Sequence, residues 1–295
     1  MFEDYEFALC LTHDVDRPYK SPFQALYYAV ADRSPSHLWR QLDGENPYWQ
    51  FDEIARLEDE LGVRSAFYFL NEPPISSLPP REWLDPTNWV QHLGRYDVTA
   101  DEIVDVIHRL DRGGWEIGLH GSYHSYADPE RLAHEKAVLE SVCASAIRGG
   151  RQHYLNLDVP NTWRAHAALG LSYDASLGSS TDVGFEFGYR PLRPFDDEFL
   201  VLPLTAMEVA LPSPSADFSA AAGVCDELLA EAAANDAVMT VLWHPRYFSE
   251  REFPGYRRLY RYLVERARAE GAWIGPPADL YDRLVEPDRR VSPTD

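Results

Sequence analysis

The chain has 295 residues, 45% of them apolar, with 17 Tyr, 13 Phe and 8 Trp; that is enough for one large core and too apolar for disorder. Acidic residues outnumber basic ones 48 to 27, a formal net charge of −21, so the surface repels nucleic acid and anionic lipid. No apolar run approaches the roughly 20 residues of a membrane span.

Only two of the basic residues are lysines, Lys20 and Lys136. An acidic, lysine-poor surface of this kind suits a halophilic protein, in which molar salt screens self-repulsion; the competing reading is ordinary acidity under GC-rich coding. Cys10, Cys143 and Cys225 are far apart and odd in number, so no disulfide framework is expected. The opening "MFEDYEFALC" carries acids where a cleaved leader carries basic residues, and the expected location is cytoplasmic.

In chain order, "LCLTHDVDR" (9–17) reads as a buried strand that ends abruptly in His13, Asp14 and Asp16. Residues 18–50 are expected to form an elaborated loop with a short helix near "FQALYYAVADR". "FDEIARLEDELGV" has helical spacing and a Gly stop, and "RSAFYFL" follows as a strand. Residues 71–97, with five prolines and three aromatics, read as a second elaborated loop of the kind that rims a functional site. "TADEIVDVIHRLDRGG" is predicted to be a helix capped by Thr99 and stopped by a Gly pair, followed by the strand "WEIGLH". "DPERLAHEKAVLESVCASAIRGG" repeats the pattern before a strand "RQHYL", as do "TWRAHAALG" before "LSYDASL" and "CDELLAEAAANDA" before "VMTVLWH". "YRRLYRYLVERARAEG" precedes "AWIG" and a short closing helix, and residues 287–295 read as a loose tail. Helix, Gly and strand in regular alternation mean parallel βα units in a single α/β domain over residues 1–295. Six or seven strands are compatible with a barrel or an open sheet. No glycine-rich phosphate loop is present, so no nucleotide cofactor is indicated.

In parallel α/β folds the chemistry collects beyond the carboxyl ends of the strands. Those ends read "HDVD", "FYFLNE", "LHGSYHS", "RQHY", "YDAS" and "LWHP", and most carry His, Asp or Arg. His120 and His124 are four apart, a spacing that lets two imidazoles reach one metal. Asp14 and Asp16, two apart on a strand, point to one side. Two His and one carboxylate would hold a divalent ion and leave the second carboxylate as base; the competing reading is two solvated turn aspartates. His108, His134 and His166 lie on predicted helices and read as surface or interface groups rather than ligands. Tyr5, Trp49 and Trp83 are equally compatible with a sugar site and with the core.

The order and spacing of "LTHDVD", "EIGLHGSYHS", "RQHYL", "YDAS" and "LWHP" resemble the polysaccharide deacetylase family, carbohydrate esterase family 4, over roughly residues 5–285. The resemblance implies a distorted (β/α) barrel of about seven parallel strands. It further implies a hydrolase of non-peptide carbon–nitrogen bonds that removes acetyl groups from N-acetylated sugars. By that resemblance Asp14 is the general base, and Asp16, His120 and His124 are the metal ligands. Arg151 orients the base, His244 protonates the leaving group, and Asp174 is a looser match to a partner for that histidine. The implied cofactor is a divalent metal ion, zinc, with cobalt, manganese or nickel as alternatives. The implied oxyanion stabilisers are the metal and a backbone N–H near Tyr154. The sequence departs from the family's pattern at His13, Val15 and Asp16 in the first motif and at Gly121 in the histidine motif. These departures leave the division of labour between Asp14 and Asp16 open and make His13 a candidate fourth ligand. The substrate expectation is a carbohydrate or a small amide. The alternative activity is hydrolysis of a small amide or cyclic imide, and a third reading is a catalytically silent carbohydrate-binding module.

Overall fold

The computed structural model describes residues 4–20, 46–195 and 198–285. Its strands are β1 (Phe7–Val15), β2 (Ala66–Leu70), β3 (Glu116–Gly121), β4 (Gly149–Gln152), β5 (Tyr173–Asp174), β6 (Leu200–Val201), β7 (Leu204–Met207), β8 (Val238–Leu242) and β9 (Ala272–Gly275). Eight α-helices accompany them among the described residues: α1 (Phe51–Leu61), α2 (Pro86–Gly94), α3 (Asp101–Arg112), α4 (Pro129–Glu140), α5 (Asn161–Ala168), α6 (Phe218–Ala234), α7 (Tyr256–Ala269) and α8 (Pro277–Val285).

All nine strands belong to one sheet of order β6-β5-β4-β3-β2-β1-β8-β7, with β9 on β1, and every strand pairing is parallel. The two ends of that order, β6 and β7, are consecutive in sequence and interrupted only at Leu202–Pro203. This one extended segment pairs first with β5 and then with β8, and so closes the sheet on itself. Counted with β6 and β7 as one, the ring has seven strands, the distorted barrel that the resemblance implies. The register brings Asp14 opposite Tyr68, and His120 opposite both Leu70 and Arg151. The named side chains thus share one end of the barrel.

The strand period decides what faces where. Phe7, Leu9, Leu11 and Val15 of β1 pack in the layer between sheet and helices. Ala8 and Cys10 point into the barrel, where they meet Tyr68, Tyr173 and Trp273, with Leu280 and Tyr281 of α8 covering that end. Thr12, Asp14 and Asp16 continue the inward face toward the opposite end. His13 therefore points outward, into the helix layer.

Several local expectations are corrected. The Gly pair expected to stop α4 lies in β4, and α4 ends at Glu140. A Cβ on Gly149 would meet the Tyr173 ring at 2.1 Å, and one on Gly150 the Leu119 carbonyl at 2.0 Å, so these positions are small because neighbouring strands crowd them. Thr99 is not the cap of α3: the N-cap is Ala100, and Thr99 instead bonds Asp97 through its amide and hydroxyl. The stretch 71–97 is not wholly irregular, since it contains α2, whose N-cap Asp85 accepts from Thr87 N with Pro86 at the first helical position. The helix expected near 23–33, most of the first elaborated loop and the tail lie outside the described residues. Cys10, Cys143 and Cys225 are unpaired. Among the described residues, no helix is long and apolar enough to cross a membrane.

Candidate active site

The barrel's carboxyl end opens into a cavity of about 250 Å³. Asp14, Asp16, Arg17, His120, His153, His244 and Arg246 give it a charged lining, and Leu155, Met207 and Val209 an apolar one.

Asp14 is 3% exposed and rests on Arg151 of β4, whose Nη1 donates to its Oδ1 at 2.7 Å. The same guanidinium donates to Thr12 Oγ1 at 2.9 Å and to the Ala175 carbonyl at 2.8 Å, and it lies over the Tyr68 ring. Burial alone would push the Asp14 carboxyl up, but Arg151, with His120 and His244, holds it below the ordinary carboxylate range. His120 donates from Nδ1 to the Arg151 carbonyl at 2.9 Å, which leaves a lone pair on Nε2. Burial lowers this imidazole to about 4 against the pull of Asp14, so it is neutral near pH 7. Its Nε2 faces Asp14 Oδ2 at 3.8 Å. Two acceptors at that separation are suited to holding one water molecule by its two protons.

His244 follows β8. Its Nδ1 lies 2.6 Å from Glu208 Oε1, a side chain with no solvent exposure. Burial alone would lower His244, yet Glu208 raises it above the ordinary histidine value. With Nδ1 committed, Nε2 is the nitrogen left for a ligand. Asp16 also lines the cavity, but Arg246 Nη1 donates to its Oδ1 at 2.7 Å. Against burial, Arg246 and His244 hold Asp16 far below its ordinary value.

Three residues singled out from the sequence do not join this group. His124 is not in the cavity lining: it caps a 3₁₀ turn (Ser125–Ala127) beyond β3, and its Nε2 lies 2.8 Å from Asn88 Oδ1 of α2. His13 is sealed in the helix layer, with Nδ1 2.6 Å from the Trp243 carbonyl and Nε2 3.0 Å from Glu58. That Glu58 also accepts from Ser65, Trp115 and Tyr260, so three neutral donors besides His13 serve the buried carboxylate. Asp174 does not approach His244 as its partner; it accepts from Ser176 and Trp163 and lies 3.2 Å from His166 Nδ1. His166, expected as a surface or interface group, takes the interface alternative: it is 1% exposed and its Nε2 meets Gln152 Nε2 at 2.8 Å. The Gln152 side chain also explains Gly121, where a Cβ would sit 2.3 Å from Gln152 Oε1.

Of Asp16, His120 and His124, only the first two reach the cavity, and Asp16 is paired with Arg246. Among the described residues, no group of three or more His, Cys, Asp or Glu is placed to hold a metal ion. The arrangement does not fit the three protein ligands of a catalytic zinc, and no step below passes through a metal.

The groups not found from sequence are Glu208, Arg246, Arg17 and His153. Glu208 and Arg246 stand at or just past strand ends, the same signal that marked the others. Tyr154 and Leu155, both in the cavity wall, hold φ of 59° and 57°, a left-handed conformation that non-glycine residues avoid and that tends to occur at functional sites.

No protein-family model matches the sequence, and no curated protein does. Solved structures do. A chain described as a polysaccharide deacetylase from Mycobacterium smegmatis superposes with a TM-score of 0.63 at 20% identity, covering 100% of this chain and 95% of that one. One so described from Pseudomonas aeruginosa PAO1 gives 0.60 at 16%, covering 97% and 94%. The chitin deacetylase of the fungal pathogen Colletotrichum lindemuthianum gives 0.51 at 14%, covering 94% and 88%. The seven-membered ring of parallel strands is thus the fold of these polysaccharide deacetylase structures.

Proposed function

We propose that the chain is a hydrolase of non-peptide carbon–nitrogen bonds that removes the acetyl group from an N-acetylated sugar. The observation that carries this reading is the pairing of two opposed proton-transfer groups across one cavity. Asp14 is held ionised by Arg151, and His244 is held basic by Glu208. The shared fold with a chitin deacetylase supports the substrate class.

The chemistry follows from those two groups. A water held between His120 Nε2 and Asp14 Oδ2 adds its oxygen to the acetyl carbonyl carbon as Asp14 takes one proton. Arg151 keeps Asp14 ionised at the expense of basicity, so close placement of the water must supply part of the rate. The tetrahedral oxyanion collapses, the C–N bond breaks, and His244 delivers its proton to the departing nitrogen. Acetate and a free amine result.

The test compares an acetamide with an activated acetate ester in wild type and His244→Ala. An amine needs a proton to leave and a phenolate does not, so the variant should lose ~10²–10⁴-fold on the amide and much less on the ester. Equal losses on both would remove His244 from the acid role.

A further inference from the structure

Among the described residues, the carboxylates at the cavity pair off and one arginine is left over. Asp14 is matched by Arg151 at 2.7 Å, Asp16 by Arg246 at 2.7 Å, and Glu208 by His244 at 2.6 Å. Arg17 lines the same cavity, and among the described residues it makes no hydrogen bond, ion pair or ring contact. Its guanidinium is lodged against the carboxyl end of α2, where a Cβ on Gly94 would lie 3.1 Å from Nε and 3.6 Å from Cζ. Gly94 therefore leaves the room this side chain occupies. Asp16 feels Arg17 electrostatically, after Arg246 and His244, so the guanidinium sits near the reacting groups. A chain of net charge −21 repels anions in general, and an unmatched guanidinium in its cavity reverses that sign locally. A planar fork of donors in such a place recognises carboxylate or phosphate.

We propose that Arg17 is a specificity-determining residue that binds an anionic group, a carboxylate or phosphate, carried by the N-acylated substrate. The proposal rests on the deacetylase reading above and narrows its substrate class to acidic sugars.

Calorimetry with the amine products tests this without turnover. The probes are glucosamine, glucosamine 6-phosphate and muramic acid, titrated into wild type, Arg17→Gln and Arg17→Lys, with circular dichroism confirming that each variant is folded. One of the two acidic sugars should bind wild type ten- to hundredfold tighter than glucosamine, and which one does so separates phosphate from carboxylate. Arg17→Gln should abolish the preference and Arg17→Lys should keep part of it. Equal binding of all three sugars, no binding of either acidic one, or a preference that survives Arg17→Gln would overturn the proposal. Hydrolysis of neutral N-acetylglucosamine alongside equal binding would sink this proposal and leave the deacetylase reading intact. Acid-selective binding with no amide hydrolysis would do the reverse.

Discussion

Glu208→Gln isolates what the carboxylate contributes to His244 while keeping a side chain of the same shape. The pair is 2.6 Å apart, with Glu208 fully enclosed and the His244 side chain 11% exposed. At a charge separation of ~4 Å and an effective dielectric of ~20, the attraction is about 4 kcal/mol, on the order of a thousandfold in the protonation constant. Burial and the nearby Arg246 oppose it in wild type and variant alike, so the substitution removes the carboxylate's contribution and leaves theirs in place. Glu208 raises His244, and a raised group loses its proton as pH climbs through its folded value. The alkaline limb of the wild-type kcat/KM profile should therefore lie above the ordinary histidine range. Removing the carboxylate moves that limb toward acid. At neutral pH the variant should lose about 10- to 100-fold in kcat/KM, and it should approach wild type at lower pH, where His244 is protonated in both. A limb in the same place in both proteins would refute the reasoning, because a merely structural Glu208 would scale the profile without shifting it.

Asp14→Asn should lower turnover by ~10²–10⁴ and, by leaving the fully buried Arg151 without its counter-charge, cost about 3–5 kcal/mol in urea unfolding. His120→Ala should be inactive, whereas His124→Ala, which changes a contact with Asn88 outside the cavity lining, should stay within about tenfold of wild type; equal losses, with metal analysis showing an ion lost from both, would restore the paired-ligand reading. The net charge of −21 predicts a melting temperature that rises steeply with KCl up to molar concentrations, and a flat or falling curve would remove the halophile inference.

Much of the site was legible because it follows from local rules. A strand of period two places Asp14 and Asp16 on one face, and parallel strands gather Arg151, His120 and His244 at one end. The four-residue spacing of His120 and His124 does not place both in the cavity lining, for a physical reason. Positions i and i+4 share a face only on a helix, and here His120 lies in β3 while His124 lies past it at a turn. Glu208 escaped because Pro203 splits the apolar run before it, leaving a β7 of only four residues with no helix directly preceding it among the described residues to mark it as a βα unit. For His166 the sequence left surface and interface open, because its partners Gln152 and Asp174 come from β4 and β5, contacts that no local pattern announces. The Gly149–Gly150 pair read as a helix stop because glycine has two uses, and only the neighbouring strand shows that here it relieves crowding.

The central claim is that water, activated at Asp14, attacks an acyl carbonyl and releases an amine. Hydrolysis of N-acetylated sugars in ¹⁸O-labelled water tests it most directly, with acetate and amine both quantified. Acetate and free amine should appear in equal amounts, with one labelled oxygen in the acetate, no label in the sugar beyond the enzyme-free exchange at C1, and loss of both products in Asp14→Asn. Absence of amine release from neutral and acidic N-acetylated sugars alike, or label appearing in the sugar, would contradict it.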